Sequence, residues 1–283
     1  MFSKGVKYML LATFFFSLMN VFVKMVDNIP AVEIVFFRSV VSLVLCYVFL
    51  AQQKVSVWGK NKKILLFRGM SGAVALIMYF TTLQFIPLAS AVTIQFLSPI
   101  FTSILGVFIV KEKVKPLQWL FFLMAFAGVI MVQGFDPRIT TFYLVIGVIS
   151  AFFSGLAYNW IRKLKHSEHP LVIVFYFPLV TLPITGIYSA FDWVQPIGWE
   201  QWVLLLLIGV FTQIAQYFMT KAYQSEELSK IASLKYLGII YALGFGYVFF
   251  KETFNIMTYF GMSVVLIGVI LNIWYKHRLT LKK

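Results

Sequence analysis

The chain reads as an all-α membrane protein of ten transmembrane helices, arranged as two inverted five-helix repeats. Three features predict this: a very apolar composition, apolar runs at regular intervals between charged or proline-containing breaks, and a stretch that recurs 140 positions later. Hydrophobic residues make up 61% of the 283 positions and charged ones 12%. A soluble domain runs near half apolar and about a quarter charged, and a chain this apolar cannot stay solvated as a disordered one. The formal charge of +14 raises nucleic acid as a partner, but the basic residues lie between apolar runs and form no continuous face, so none is expected. A single cysteine, Cys46, leaves no disulfide framework and no multi-cysteine metal site.

Crossing about 30 Å of hydrocarbon takes roughly 20 apolar residues. The first run, 5–26, follows Lys4 and Lys7, has no small-x-small cleavage pattern, and reads as a span rather than a leader. The second, 31–51, opens after Pro30, and the third, 64–85, after a cluster of lysines ending at Lys63. Pro87 separates it from the fourth, 88–110, because proline and its restricted predecessor break a helix. The fifth, 115–134, follows Lys111-Glu112-Lys113, and the sixth, 140–161, follows Asp136-Pro137. The remaining spans are 171–191, 200–220, 230–250 and 255–275, which leaves no room for a soluble domain.

Lysine and arginine in short loops set the orientation. With the amino terminus inside, 18 of the 24 basic residues fall on the cytoplasmic side; Lys24, Arg138 and Lys251 fall outside, and Arg38, Arg68 and Lys235 within spans. Both termini are thus expected in the cytoplasm and the chain in the inner (cytoplasmic) membrane, its lipid partner.

Residues 89–130 and 229–270 align at a constant offset: Gly106 falls on Gly246, Lys111-Glu112 on Lys251-Glu252, and Gly128-Val129-Ile130 on Gly268-Val269-Ile270. The expected units are 1–135 and 136–283. Five spans is an odd number, so two copies in one chain must lie oppositely in the membrane, as in many secondary transporters.

The stretch from Ala89 through Ser98-Pro99, Val110-Lys111-Glu112 and Gly128, with its second copy ending Lys251-Glu252 and Gly268, resembles the drug/metabolite transporter superfamily and its ten-helix EamA-type members. The opening span, Phe16-Ser17-Leu18-Met19-Asn20 and then Lys24, is similar too. The resemblance implies transport of a small molecule, not its identity, because members carry amino acids, nucleosides, drugs and other metabolites. Glu112 and Glu252 look like recurrent family glutamates. Each stands just before a following helix, whose N-terminal dipole favours a carboxylate, so they are assigned to loop geometry or gating. Pro99 has Ile239 at its counterpart, so a break there is expected in one half only.

Polar groups inside spans are costly, and those retained are candidate site residues. Ala91, Gln95, Ser98, Thr102 and Gly106 share one helical face, and Lys235 stands at the repeat counterpart of Gln95. Lys235 either converges with Gln95 on a central cavity or snorkels to the interface. Tyr79 and Tyr158 offer rings and hydroxyls, and Asn20 lies one turn before Lys24, which is expected to pair with Asp27 or Glu33. Gln213 and Gln216 either line the cavity or bond neighbouring helices. Arg68 reads as an interfacial anchor. Arg38, deepest of the cations, reads as bundle-stabilising or as a lure for an anion.

None of the ten carboxylates lies at a span centre, and His166, His169 and His277 sit in loop or tail, away from any membrane serine. No G-x-x-x-x-G-K-[ST] phosphate loop occurs. An enzyme is therefore not expected, and neither is a cofactor or metal. The expected function is secondary transport of a small organic metabolite, amino-acid-like or zwitterionic, by alternating access, in a monomer or homodimer. A channel and a non-transporting membrane scaffold remain as alternatives. The substrate-binding candidates are Gln95, Lys235, Tyr79, Tyr158, Gln213, Gln216 and Asn20; the structural or gating candidates are Glu112, Glu252, Arg38 and Pro99.

Overall fold

A computed structural model describes residues 4–111, 114–164, 167–225, 234 and 237–281. Among them every regular element is helical. Helix α1 (Lys4–Met25) leads into α2 (Ala31–Gln52) and α3 (Lys62–Phe85). A short α4 (Leu88–Gln95) and α5 (Ser98–Ile109) follow, then α6 (Pro116–Phe135) and α7 (Thr141–Leu164). The chain closes with α8 (Pro170–Phe191), α9 (Gly198–Ser225), α10 (Leu237–Phe250) and α11 (Ile256–Leu281). Taking α4 and α5 as one span, nine spans among the described residues are long and apolar enough to cross a membrane, and α10 is a shorter apolar helix of 14 residues. The chain is a multi-pass membrane protein.

Prolines punctuate as their chemistry requires. Pro30 and Pro87 stand at the N-caps of α2 and α4, and Pro116 and Pro170 occupy the first turns of α6 and α8, where a missing N–H costs nothing. Two helices outrun their apolar runs, α9 to Ser225 and α11 to Leu281, because a helix continues into water where nothing breaks it. The fourth span departs most from a plain rod. Its helix stops at Gln95 and restarts at Ser98 with Pro99 in the first turn, so the face from Ala91 to Gly106 is split in two. The expectation that span nine lacks this break falls partly on residues 235–236, outside the described ones.

The packing follows the offset of 140 residues. Helix α1 packs on α9, and the helices at the shifted positions, α7 and α3, pack on each other. Likewise α2 meets α9 as α8 meets α3, while α2 with α8 and α6 with α11 pair across the molecule. Small residues make the last contact close. A Cβ on Gly128 would meet the Gly261 carbonyl at 2.8 Å, and one on Gly268 would meet the Phe121 carbonyl at 3.0 Å. Gln118 Nε2 also donates to Asn272 Oδ1 across this buried seam (2.9 Å). Outside, Phe108, Leu123, Ile187 and Phe142 stand exposed, as lipid-facing residues do, with Trp58, Trp193, Trp199 and Trp274 near helix ends.

Candidate functional site

One cavity of about 190 Å³ lies between α1, α2, α3, the α4–α5 break, α7, α8, α9 and the start of α10. It reaches from Met9 and Met219, toward the end of the bundle where α1 begins, to Asn20 and Tyr79 deeper in. Phe16, Phe96 and Phe177 give it apolar walls. Gly72 and Gly238 thin those walls, since a Cβ on Gly72 would meet the Phe177 ring at 2.8 Å and also the Arg68 guanidinium.

Gln95, Tyr79, Tyr158, Gln216, Asn20, Pro99 and Arg38 all line this space. Gln95 ends α4 at the break, and its amide reaches across to α7. Its Nε2 donates to Ser154 Oγ (2.7 Å), while the Ser150 hydroxyl lies 3.3 Å from its Oε1. Asn20 Nδ2 donates to the Tyr79 hydroxyl (3.0 Å), but Asn20 Oδ1 is buried with no hydrogen-bond donor. Asn20 lines the cavity, so this amide keeps an unbonded acceptor at the cavity wall.

Gln213 does not line the cavity. It accepts from Ser42 Oγ (2.7 Å) and donates to Cys46 Sγ (2.9 Å), riveting α9 to α2 on the far side. Gln213 and Gln216 stand about 60° apart around the α9 axis, near-neighbours on one face, yet the first meets α2 while the second lines the cavity. Lys235 and Glu112 lie outside the described residues.

Two arginines hold the main surprise. Arg68 is 4% exposed and lines the cavity, which overturns its reading as an interfacial anchor. Arg38 is 1% exposed; its Nε donates to Thr212 Oγ1 (3.1 Å), and its Nη1 has no partner. The guanidinium carbons of Arg38 and Arg68 stand 4.9 Å and 4.8 Å from the centroid of the same ring, Phe177. Among the described residues no carboxylate pairs with either, since the ion pairs there are Lys24–Glu252 and Asp136–Arg138. Glu33, one turn from Arg38, instead accepts from the Val194 N–H (3.0 Å). Sequence could have flagged Arg68 through Gly72, one turn on, which makes room for its head. Phe177 carried no such signal in a run of aromatic and aliphatic residues.

The other end of the bundle is shut. Lys24 pairs with Glu252 (3.2 Å), not with Asp27 or Glu33, and donates to the Ile86 carbonyl (2.7 Å). Both Glu252 oxygens accept from the Leu88 N–H, at 3.1 and 2.9 Å. The glutamate thus serves a helix N-terminus, but that of α4 from the other half of the chain, not that of the helix following it. Lys251 before it has φ +54°, matching Lys111 at φ +57° one offset earlier. Gly246 leaves space for the fold-back, for a Cβ there would meet Glu252 Oε2 at 2.8 Å. Beneath this cluster Val26, Ile29, Leu83, Ile86 and Leu88 are fully buried.

A multi-helix membrane bundle with a pocket between its helices that carries amides, hydroxyls and two arginines, and with one end closed by an ion pair, has the build of a membrane transporter. The EamA-like transporter family model matches the chain twice, over residues 3–133 and 141–274, and the chain belongs to that family. The pseudopaline exporter CntI of Pseudomonas aeruginosa is 33% identical over 94% of each chain. Human solute carrier family 35 member G1 is 29% identical over 96% of this chain and 80% of that one. A solved crystal structure superposes with a TM-score of 0.69 at 16% identity, covering 97% of this chain and 98% of the other, which supports the fold alone. The names of these relatives are those of transporters of small molecules rather than of enzymes.

Proposed function

We propose that the chain is a secondary transporter that binds a small organic metabolite bearing a carboxylate, amino-acid-like or zwitterionic, in the cavity between α1, α3, α4, α7 and α9 and moves it by alternating access. The observation that carries the reading is the pair of buried, cavity-lining guanidiniums without an acidic partner among the described residues. A buried unpaired charge costs several kcal/mol, and an anionic group arriving in the cavity relieves that cost. Asn20 Oδ1 supplies an acceptor for an ammonium or hydroxyl on the same solute. The Lys24–Glu252 pair and the fully buried side chains beside it close one end of the bundle, which supports a carrier over a channel. So do the twofold family match and the exchange of packing partners under one offset, which fit two inverted halves rocking about a central site. With the amino terminus in the cytoplasm, the closed end at Lys24 and Glu252 faces outward.

The test is flux into proteoliposomes of the purified chain, using a panel of radiolabelled amino acids and organic acids. A carrier gives uptake that saturates with concentration, and Gln95→Ala, which breaks the bridge to α7, lowers it at least tenfold while protein level holds. Uptake that stays linear with concentration would make the chain a channel, and no uptake of any solute would leave the scaffold reading.

A further inference from the structure

Arg38 comes from α2 and Arg68 from α3, and Phe177 of α8 holds both heads against one ring. Cation–π contact offsets only part of what desolvation costs a guanidinium, about 0.5–2 kcal/mol each. The two like charges also repel, and more strongly here than in water because little solvent screens them. A solute with one acidic group relieves one arginine and leaves the other buried and unpaired. A solute with two relieves both. Resting on the transport reading above, we infer that the cavity selects small organic dianions: dicarboxylates whose two acid groups meet Arg38 and Arg68 separately.

Three further features fit this ligand. The heads come from different helices and share one ring, so the cavity offers a solute two guanidiniums rather than one. Gly72 leaves the space that lets the Arg68 head lie beside Phe177. Asn20 Oδ1 lacks a donor, which favours a dicarboxylate carrying an amine or hydroxyl between its acids. Unlike a lysine, an arginine stays charged even when buried, so neither site is lost by deprotonation.

Matched pairs test the inference. L-glutamate and L-glutamine share shape and differ in one acid group, as do L-aspartate and L-asparagine. Thermal melting of the full-length purified chain, titrated with each, gives the half-saturating concentration, since a ligand of the folded state raises its apparent stability. The inference predicts that each diacid binds at least tenfold tighter than its amide partner, with glutarate, which lacks the amine, in between. Arg68→Gln should bring the diacid down to the affinity of the amide, and Arg68→Lys should restore part of the preference. Should either variant fail to fold, the four wild-type titrations still decide. Equal binding of acid and amide would overturn the two-acid inference and leave the amino-acid-like carrier standing. Saturable flux of other solutes with no binding of any diacid would overturn the inference alone. Absence of saturable flux for the whole panel would remove the carrier reading as well.

Discussion

Gln95 and Gln213 are both amides in apolar helices, yet their surroundings give them different work. Gln95 spans from the end of α4 to Ser154 at the cavity wall, whereas Gln213 satisfies Ser42 and Cys46 between two packed helices. Gln213→Ala would leave those buried groups unpaired and cost about 1–3 kcal/mol of stability. It should lower the melting temperature while leaving the half-saturating substrate concentration within twofold of wild type. Gly72→Ala should change both stability and binding. The added methyl drives against Arg68 and Phe177, which costs about 1–3 kcal/mol in a packed core, and it should also weaken substrate binding by displacing the arginine head. A Gly72→Ala chain with unchanged affinity would detach Arg68 from the site. Sequence identified Gln95, Tyr79, Tyr158, Gln216 and Asn20 as polar groups at membrane depth, and all five line one cavity. It could not separate Gln213 from Gln216, because both face away from lipid and only the neighbouring helices distinguish them. It misread Arg68, since a place near the inner end of the 64–85 span fits both snorkelling outward and turning in.

At the scale of elements, the broken fourth span and the turn at Glu252 act on each other. Helix α4 starts on a proline cap with no side-chain bond of its own, and the Glu252 carboxylate supplies what the Leu88 N–H needs. Lys24 then ties α1 to the same carboxylate. Charge-assisted bonds of this kind are roughly twice as strong as neutral ones, and they must part for this end to open. Glu252→Gln should therefore shift the chain toward the state open at the Lys24 end, read as faster modification of Leu83→Cys by a membrane-impermeant thiol reagent. Cys46 is fully buried and adds little background. Unchanged labelling would make the cluster a fixed brace. The Gly128, Gly261 and Gly268 seam predicts the opposite of motion. Gly128→Leu would collide with the α11 backbone and should cost more than 3 kcal/mol, read as loss of monodisperse protein. Helix boundaries were legible because charge and proline mark them. The partner of Lys24 was not, since Glu252 lies 228 positions away and only the fold brings it there.

Across the whole molecule, composition dictated the solvent and periodic breaks dictated the number of spans, and the structure follows both closely. The recurrence at 140 residues was legible as a repeat, and the packing partners obey it. The cavity was not legible as a shape, because its walls come from nine helices and its apolar lining looks like any other core. A carrier built of two halves must expose the site at one membrane face and then the other, never at both. Asn20 sits at the deep end of the cavity and is the position to watch. Asn20→Cys, reconstituted in one orientation and treated with an impermeant thiol reagent from either side, measures this directly. The account predicts labelling from each side in turn, with solute trapping one state and suppressing labelling from the opposite face. Labelling from a single face under every condition, or from both faces at once with solute bound, would contradict it.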